Sequence, residues 1–235
     1  MLNYKKIIQK IKFDPPWWAI INPFFFARKN LNKYILKYSH FLKGELLDVG
    51  CGSKPYEKLF VNCNKYVGLE LESQKKDSKA DYFYNGTNFP FEDNKFDSIF
   101  CSQVLEHVFE PEIFLSEINR VMKKDSLIIL TLPFIWDEHE QPYDYARYSS
   151  FGLSYLLKKK GFEVIEQIKT CNNFTVIIQI LNCYIYKKLC FKKNFIFKSF
   201  GFILISFLNL FGLILSILPE NNDLYLDNFI LAKKK

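Results

Sequence analysis

The clearest chemical pattern in this sequence is a pair of glycines that ends an apolar run. The segment LLDVGCG at 46–52 places Asp48 just before Gly50 and Gly52, and the run YVGLELE at 66–72 brings the acid Glu70. Glycine lets a backbone turn tightly and pass close to a ligand. A carboxylate about twenty residues downstream can accept hydrogen bonds from ribose hydroxyls. These residues predict a ribose-containing ligand at the carboxyl ends of two neighbouring strands.

Histidines are the next candidates, because an imidazole titrates near neutral pH and can act as a base. The sequence has three, and His40 lies in the N-terminal segment, where a surface position is expected. His107, in VLEHV at 104–108, follows an apolar run; a pocket position and a structural role are both open for it. His139 lies in WDEHEQPYDYARYS at 136–149. It is a candidate base or substrate ligand, whose pKa the flanking acids would raise if they were close.

Three companions of His139 occur in the same segment. Tyr143, Asp144 and Arg147 either contact the substrate or form a structural loop held by an Asp144–Arg147 ion pair. No set of His, Cys, Asp and Glu has the spacing of a known metal-ligand motif, so we expect no metal.

The elements that position these residues alternate between strands and helices. Such alternation predicts an α/β fold with a doubly wound, mostly parallel sheet. The predicted strands are ELLDVG, YVGLELE, DYFYNG, FDSIFCSQ, LIILTLP, EVIEQIKT and YLDNFILAKK, and the predicted helices are EPEIFLSEINRVMK and FGLSYLLKKKGF.

Charge is divided unevenly along the chain. The net charge is +8 over residues 1–43, −6 over 44–170 and +5 over 171–235. The basic segments are also aromatic and apolar, a composition that fits an anionic membrane surface better than nucleic acid. The 6 cysteines show no disulfide framework and are expected to be reduced cytosolic thiols. We therefore divide the chain into a basic aromatic helical arm at 1–43 and one domain at 44–235.

An apolar insertion of that domain covers about residues 174–219. It contains FTVIIQILNCYIY at 174–186, five lysines, and the uncharged stretch GFILISFLNLFGLILSIL at 201–218. The stretch has about the length of a membrane span, but a single crossing would separate the last strand from its sheet. Besides a true span, the alternatives are a helical hairpin in the cytoplasmic leaflet, anchored with Trp17, Trp18 and Phe24–Phe26, a cap over the acceptor pocket, or a dimer interface.

Taken together, the chain resembles the class I S-adenosylmethionine-dependent methyltransferases. The motifs that carry the resemblance are DVGCG at 48–52, GLE at 68–70, NFPFEDNKFD at 88–97, VLEHV at 104–108 and INRVMKKDSLIILTLP at 118–133. The segment TLPFIWDEHEQPYDYARYS at 131–149 resembles a subset common in bacterial polysaccharide and lipid pathways. The resemblance implies a seven-stranded Rossmann-like fold with the last strand antiparallel, and S-adenosylmethionine as cofactor.

The resemblance also implies roles for particular residues. Asp48 would position the amino group of the cofactor. The methionine part of the cofactor would lie along the backbone of Gly50, Cys51 and Gly52. Glu70 would accept hydrogen bonds from the ribose hydroxyls. Asn85 and Gly86 would border the adenine, and Cys101 to Gln103 would border the methyl-donor pocket. Two positions depart from the family pattern: Lys54 replaces the third glycine and Asn85 replaces an acid.

The predicted function is methyl transfer to a small-molecule or lipid-linked acceptor, such as a sugar, at oxygen. The alternatives are a quinone- or isoprenoid-type C-methyltransferase and a non-catalytic, membrane-associated scaffold that kept the fold. We expect a cytoplasmic protein, peripheral on the inner face of the cytoplasmic membrane, with a homodimer as an open alternative. Nucleic acid is not expected as a partner, because CSQVLEH at 101–107 stands where DNA amino-methyltransferases carry a PP-containing tetrapeptide.

Overall fold

A computed structural model describes residues 20–76, 78–191 and 194–235. Seven strands form one sheet in the order β3-β2-β1-β4-β5-β7-β6, with β7 antiparallel, which confirms the predicted fold class. The strands are β1 Gly44–Val49, β2 Cys63–Leu71, β3 Tyr82–Tyr84, β4 Phe96–Ser102, β5 Met122–Pro133, β6 Phe162–Thr170 and β7 Asp227–Lys234.

Five α-helices lie within the described residues. They are α1 Phe25–Ser39, α2 Pro111–Val121, α3 Ser150–Lys159, α4 Thr175–Ile185 and α5 Phe195–Leu215. In α2, Phe114, Leu115, Ile118 and Val121 are buried, at the spacing of one helical face. Ser149 caps α3 by accepting a hydrogen bond from the Gly152 N–H.

The strand order places the predicted ligand edge between β1 and β4. The chain runs outward to β2 and β3 on one side and to β5 on the other, so β1 and β4 form the topological switch point. Register pairs Asp48 with Gly68 and Phe100, and Glu70 with Phe83. Asp48 and Glu70 therefore lie near the carboxyl ends of adjacent parallel strands.

The chain forms two compact units. The first, here called the helical unit, contains the described residues up to Lys33, Ile135–Asp137 and Lys169–Asp227. The second, the sheet unit, contains Tyr34–Phe134, Glu138–Ile168 and Asn228–Lys235. The helical unit thus combines part of the N-terminal arm with the apolar insertion.

Buried amides connect the parts of the helical unit. Asn182 on α4 donates its Nδ2–H to Asn209 Oδ1 on α5 at 2.8 Å, and Asn209 Nδ2 donates to the Asn22 carbonyl at 3.0 Å. Gln179 Nε2 donates to the Pro23 carbonyl at 2.7 Å. Since a buried amide without partners is costly, these bonds fix how the insertion and the arm pack.

The aromatic arm departs from the sequence-based expectation where it is described. Phe25 and Phe26 are 0% and 3% exposed and pack in the core of the helical unit, so they are not membrane anchors. An added Cβ at Gly212 would lie 2.7 Å from Phe26 Cζ, which shows how closely α5 approaches this ring. Trp17, Trp18 and the predicted amphipathic segment before them lie outside the described residues.

Candidate functional site: the glycine loop and the histidine cluster

The glycine loop, residues 50–54, is held by backbone hydrogen bonds to the end of β2. The N–H groups of Gly50 and Cys51 both donate to the Leu69 carbonyl, at 2.9 and 3.2 Å. The Gly52 N–H donates to Glu70 Oε2 at 3.0 Å, while Oε1 accepts from the Leu71 N–H at 3.0 Å. The loop therefore orients the carboxylate that the sequence assigns to ribose.

The two glycines of this loop are required for different reasons. Gly50 has φ +73°, and an added Cβ would lie 2.3 Å from Val104 Cγ2. Gly52 has φ +48°, and an added Cβ would meet no heavy atom within 4 Å. The contact with Val104 would exclude a side chain at Gly50, whereas the space beside Gly52 is open. The open side of Gly52 fits the implied cofactor.

Lys54, at the position of the family's third glycine, adopts the same left-handed backbone, with φ +55°. Its ammonium group pairs with Asp81, and Asp81 Oδ2 also accepts from the Gly68 N–H at 2.7 Å. Lys54 thus connects the glycine loop to the segment before β3. The substitution keeps the turn and adds an ion pair.

Asp48 is buried and accepts a hydrogen bond from the Tyr66 hydroxyl. Burial raises the pKa of Asp48 to about 7, although the bond from Tyr66 offsets part of the rise. A carboxyl group with this pKa changes charge near neutral pH. Tyr66 was not identified from the sequence, because only the register of β1 and β2 brings it beside Asp48.

Two cysteines assigned to the cofactor edge prove to be packing residues. Cys101 is 0% exposed within the main core, and Cys51 is 3% exposed with its sulfur against Gly68. Burial raises the pKa of both thiols, that of Cys51 to about 12. Their side chains cannot border an open ligand site, so only their backbones remain candidates. All six cysteines lie in the described chain, and none of them forms a disulfide.

Asn85 lies in an exposed loop after β3 and its amide oxygen is already engaged. Oδ1 accepts from the Thr87 N–H at 3.1 Å, from Thr87 Oγ1 at 2.9 Å and from the Asn88 N–H at 3.2 Å. Contact between this oxygen and an adenine amino group would require the turn to open. Gly86 follows with φ +98°, a conformation suited to glycine.

Gln103 follows β4 with φ +59°, a left-handed conformation unusual for a residue with a side chain. Its N–H donates to the Thr131 carbonyl at 2.8 Å, and its Nε2 donates to Thr131 Oγ1 at 3.4 Å. These bonds attach Gln103 to the end of β5. It thus lies at the carboxyl edge of the sheet, as predicted.

The two candidate histidines lie together, which the sequence did not predict. The rings of His107 and His139 are 4.8 Å apart between centroids at an angle of 78°. His107 Nδ1 lies 2.9 Å from the Tyr143 carbonyl and must donate to it, because a carbonyl oxygen only accepts. Glu106, a residue the sequence analysis did not single out, is 0% exposed, and its Oε1 lies 3.8 Å from His107 Nε2.

The histidine loop, residues 139–147, is held by a partly buried ion pair. Arg147 donates to both carboxylate oxygens of Asp144, at 2.6 and 2.7 Å, so the structural alternative of the sequence analysis is observed. Asp144 Oδ2 also accepts from the His139 N–H at 3.0 Å. Burial would raise the pKa of Asp144, but these hydrogen bonds outweigh it and lower the pKa to about 2.

The carboxylate beside His139 is Asp144, whose Oδ2 lies 3.3 Å from His139 Nδ1. Asp137, one of the acids that flank His139 in the sequence, instead pairs with Lys187 at 2.7 Å. Tyr143 is 60% exposed, and its main contribution to the site is its carbonyl group.

An open cavity of about 450 Å³ lies at the opposite edge of the sheet. It is lined by Gly44, Asp97 and Ser98 at the amino ends of β1 and β4. Ligands of such sheets bind at the carboxyl ends of the strands. The cavity therefore does not coincide with the candidate site.

Comparison with known proteins agrees with this geometry. Residues 47–130 match the family model described as a methyltransferase domain. A curated relative, the tRNA U34 carboxymethyltransferase of Campylobacter lari, is 26% identical over 147 residues. The alignment covers 57% of this chain and 47% of that protein, so this chain spans about half of the relative's length.

Solved structures show the same fold. A SAM-dependent methyltransferase from Archaeoglobus fulgidus aligns over 99% of this chain and 100% of its own, with a TM-score of 0.56 and 19% identity. The phosphoethanolamine N-methyltransferase 2 of Haemonchus contortus, solved in complex with S-adenosyl-L-methionine, aligns over 96% of this chain and 59% of its own. Its TM-score is 0.56 at 18% identity.

Proposed function

The chain carries a class I S-adenosylmethionine-dependent methyltransferase domain, and from this premise we propose that it methylates an oxygen atom of a lipid-linked acceptor at a membrane surface. The cofactor supplies an electrophilic methyl group on a sulfonium. The protein's own residues then have three tasks: to hold the donor, to activate the acceptor and to reach the lipid.

The glycine loop and the end of β2 perform the first task. Glu70 accepts the ribose hydroxyls, and the open side of Gly52 accommodates the methionine part. Asp48, at the end of β1, accepts from the amino group of the cofactor when its carboxyl is ionised. Asn85 and Gly86 border the base. Holding donor and acceptor in line supplies about 7–11 kcal/mol of the barrier reduction.

Activation of the acceptor hydroxyl is assigned to His107 and His139. An oxygen acceptor must lose a proton, and a positioned base contributes about 10²–10⁴-fold. The Tyr143 carbonyl holds His107 and the Asp144 carboxylate lies beside His139. Orientation of this kind is what a catalytic imidazole needs. Asp144 and Arg147 act as positioning residues, because they hold the loop through their ion pair.

The observation that carries the lipid assignment is the exposed apolar face of α5. This helix is the one in the described chain that is long and apolar enough to cross a membrane, and only 22% of its most apolar window is buried. Gly201, Ile205 and Asn209 form its buried side. The opposite side exposes the large apolar side chains Ile196, Phe200, Ile203, Phe207, Leu210 and Ile214.

Charge and topology favour a lipid surface over a crossing. No acidic residue occurs from Cys171 to Pro219, and Lys188 and Lys198 are exposed near the two helices. The ends of the insertion meet, since the Leu226 N–H donates to the Thr170 carbonyl at 3.0 Å. A helical pair whose flanking residues meet has both of its ends on the same side of a bilayer, and exposed apolar area with lysines is what interfacial helices use.

The test combines sedimentation with product analysis. Wild type should co-sediment with anionic vesicles of phosphatidylglycerol and phosphatidylcholine, whereas Ile203→Glu/Phe207→Glu should stay in the supernatant. Val61→Glu is the matched control, because Val61 is 78% exposed in the sheet unit. With methyl-labelled donor and a cell extract, label should enter the organic phase as an acid-stable methyl ether.

Other outcomes would overturn the proposal. If the label enters a water-soluble product or RNA, the acceptor is not lipid-linked. If the label is found on carbon, the enzyme is a C-methyltransferase. If the vesicles fail to bind wild type and light scattering shows that the double variant dissociates a dimer, the face of α5 is an interface between copies of the chain.

A further inference from the structure

Three potential metal ligands converge at the histidine cluster although they come from two separate loops. One ring nitrogen each of His107 and His139 and one carboxylate oxygen of Glu106 all lie within 4.8 Å of one another. We propose that Glu106, His107 and His139 bind one divalent transition-metal ion. No sequence motif indicated this set, because ligands that far apart in the chain have no fixed spacing.

The hydrogen bonds around the rings have the arrangement that metal-binding histidines use. A ligating imidazole almost always gives its other ring N–H to a carbonyl or carboxylate, which fixes the tautomer and the ring orientation. His107 donates Nδ1–H to the Tyr143 carbonyl, so its lone pair is on Nε2. His139 Nδ1 lies 3.3 Å from Asp144 Oδ2 and 3.5 Å from Arg147 Nη2, which can only donate, so these two contacts do not fix its tautomer.

The local charge also favours a cation. Glu106 is 0% exposed, and a buried carboxylate beside imidazoles is stabilised by positive charge at that point, from a ring proton or from a metal ion. Arg147 approaches His139 Nδ1 at 3.5 Å, but its charge is compensated by Asp144, to which it is doubly bonded. Arg147 therefore adds no net positive charge beside His139.

Two imidazoles and one carboxylate select the class of ion. Imidazole suits zinc, iron, cobalt and nickel, whereas magnesium and calcium prefer all-oxygen sites. Ligand atoms bound at about 2.1 Å lie at most about 4.2 Å apart, so binding must draw this set together. His139 has a side chain 28% exposed in a loop and is the ligand with most room to move.

The inference deepens the proposed function and depends on it for its chemical use. Three protein ligands leave positions for an acceptor hydroxyl, and coordination lowers the pKa of a bound O–H group. The hydroxyl proton leaves to water, the sulfur–methyl bond of the donor breaks, and the oxygen–methyl bond forms. In the metal-loaded protein the ion takes over the activation that we assigned to the imidazoles.

The experiment uses the full chain, stripped with a chelator and titrated with cobalt(II) alone. We expect one equivalent to bind and to give the visible absorption of a low-symmetry site containing histidine, and zinc(II) to displace it. His107→Ala and His139→Ala should each weaken cobalt affinity by more than about 100-fold, since losing even a hydrogen-bond partner of a ligand costs about 10–100-fold. Glu106→Gln should weaken it similarly.

His40→Ala is the matched control, because His40 is the third histidine of the chain and is exposed. It should bind cobalt like wild type. Substoichiometric binding, or histidine variants that keep wild-type affinity, would overturn the metal site. If Glu106→Gln does not fold, the histidine variants still decide the question.

The two proposals fail in distinguishable ways. If S-adenosylhomocysteine binding and methyl transfer both survive chelation, the metal-site proposal is wrong and the proposed function stands. If cobalt binds stoichiometrically but no methylated lipid product forms, the metal-site proposal stands and the lipid-linked acceptor is wrong.

Discussion

Asp48 and Asp144 are both aspartates of the sheet unit whose side chains are largely shielded from solvent, but the pKa values of their carboxyl groups are shifted in opposite directions. Burial dominates at Asp48 and raises its pKa to about 7, and the Tyr66 hydroxyl only offsets part of the effect. At Asp144 the hydrogen bonds from Arg147 and the His139 N–H outweigh burial and lower the pKa to about 2. The carboxyl group of Asp48 thus gains or loses its proton near pH 7, whereas that of Asp144 is ionised throughout the neutral range.

The opposite pKa shifts of Asp48 and Asp144 reflect the different interactions that hold the two regions in place. The glycine loop is held by backbone N–H groups that donate to the Leu69 carbonyl and to Glu70. Backbone geometry keeps it in place, and Asp48 remains able to change charge when a cation arrives. The histidine loop is held by the side chains of Asp144 and Arg147, so its order depends on permanent charges. Substitutions should therefore affect the two regions through different quantities.

The largest effect is expected when a side chain is added to the glycine loop. Gly52→Ala places a methyl group where the protein has no atom within 4 Å, so it should lower the affinity for S-adenosylhomocysteine by about 100-fold. Its cost in folding should be about 1–2 kcal/mol, from the left-handed backbone. Calorimetric titration and thermal unfolding measure the two quantities separately.

Gly50→Ala sharpens the distinction between the two glycines. Its added Cβ would lie 2.3 Å from Val104 Cγ2, so overpacking should add about 1–3 kcal/mol to the cost of the strained backbone. Gly161→Ala is the control for strain with a milder contact, because Gly161 has φ +81° after α3, lies outside the loop, and its added Cβ would lie 3.1 Å from the side-chain atom Asn119 Nδ2. If Gly52→Ala keeps full affinity, the cofactor does not pass Gly52.

Removal of Arg147 should have the next largest effect, this time on stability. Arg147→Ala leaves Asp144, with a side chain 4% exposed, without its ion-pair partner, and should cost about 3 kcal/mol of unfolding free energy. Lys159→Ala is the matched control, because the Lys159–Glu112 pair is about half exposed and such pairs contribute about 0–1 kcal/mol. Equal losses in the two variants, measured in urea, would show that the histidine loop does not depend on its ion pair.

The same contrast explains how much could be predicted from the sequence. Strands were found because apolar runs end in glycine or polar residues, and the Asp48, Gly52 and Glu70 pattern is local to two adjacent strands. Helix α1 was anticipated only as part of a helical arm. Burial of Phe25 and Phe26 was not anticipated, because it depends on packing against α5, far along the chain.

The candidate site shows the same limit. Cys51 and Cys101 flank motif positions, but only tertiary packing reveals that their side chains point into the core. Asp137 is two residues from His139 in the sequence and Asp144 is five, but the loop brings Asp144 beside the ring. Glu106 precedes the predicted histidine His107 in the sequence. Its burial would have identified it as a candidate site residue, but burial is known only from the folded chain.

The smallest effect, on pH dependence, tests the aspartate comparison directly. Because the folded-state pKa of Asp48 lies above its ordinary value, its protonated form is the more stable one in the free protein below about pH 7. The cationic amino group of S-adenosylhomocysteine requires the carboxylate, so affinity should fall by about tenfold between about pH 8 and pH 6. Asp48→Asn should bind more weakly at pH 8 and lose this dependence.

Asp144→Asn should keep the dependence, because the lowered pKa of Asp144 leaves that group ionised throughout this range. Its contribution to stability is present above about pH 4 and is lost only as the pH falls toward 2. Thermal unfolding between pH 2 and pH 5 should therefore change in Asp144→Asn, and the binding profile between pH 6 and pH 8 should change in Asp48→Asn. If Asp48→Asn keeps the wild-type binding profile, the pH dependence comes from another group, and Asp48 does not hold the amino group.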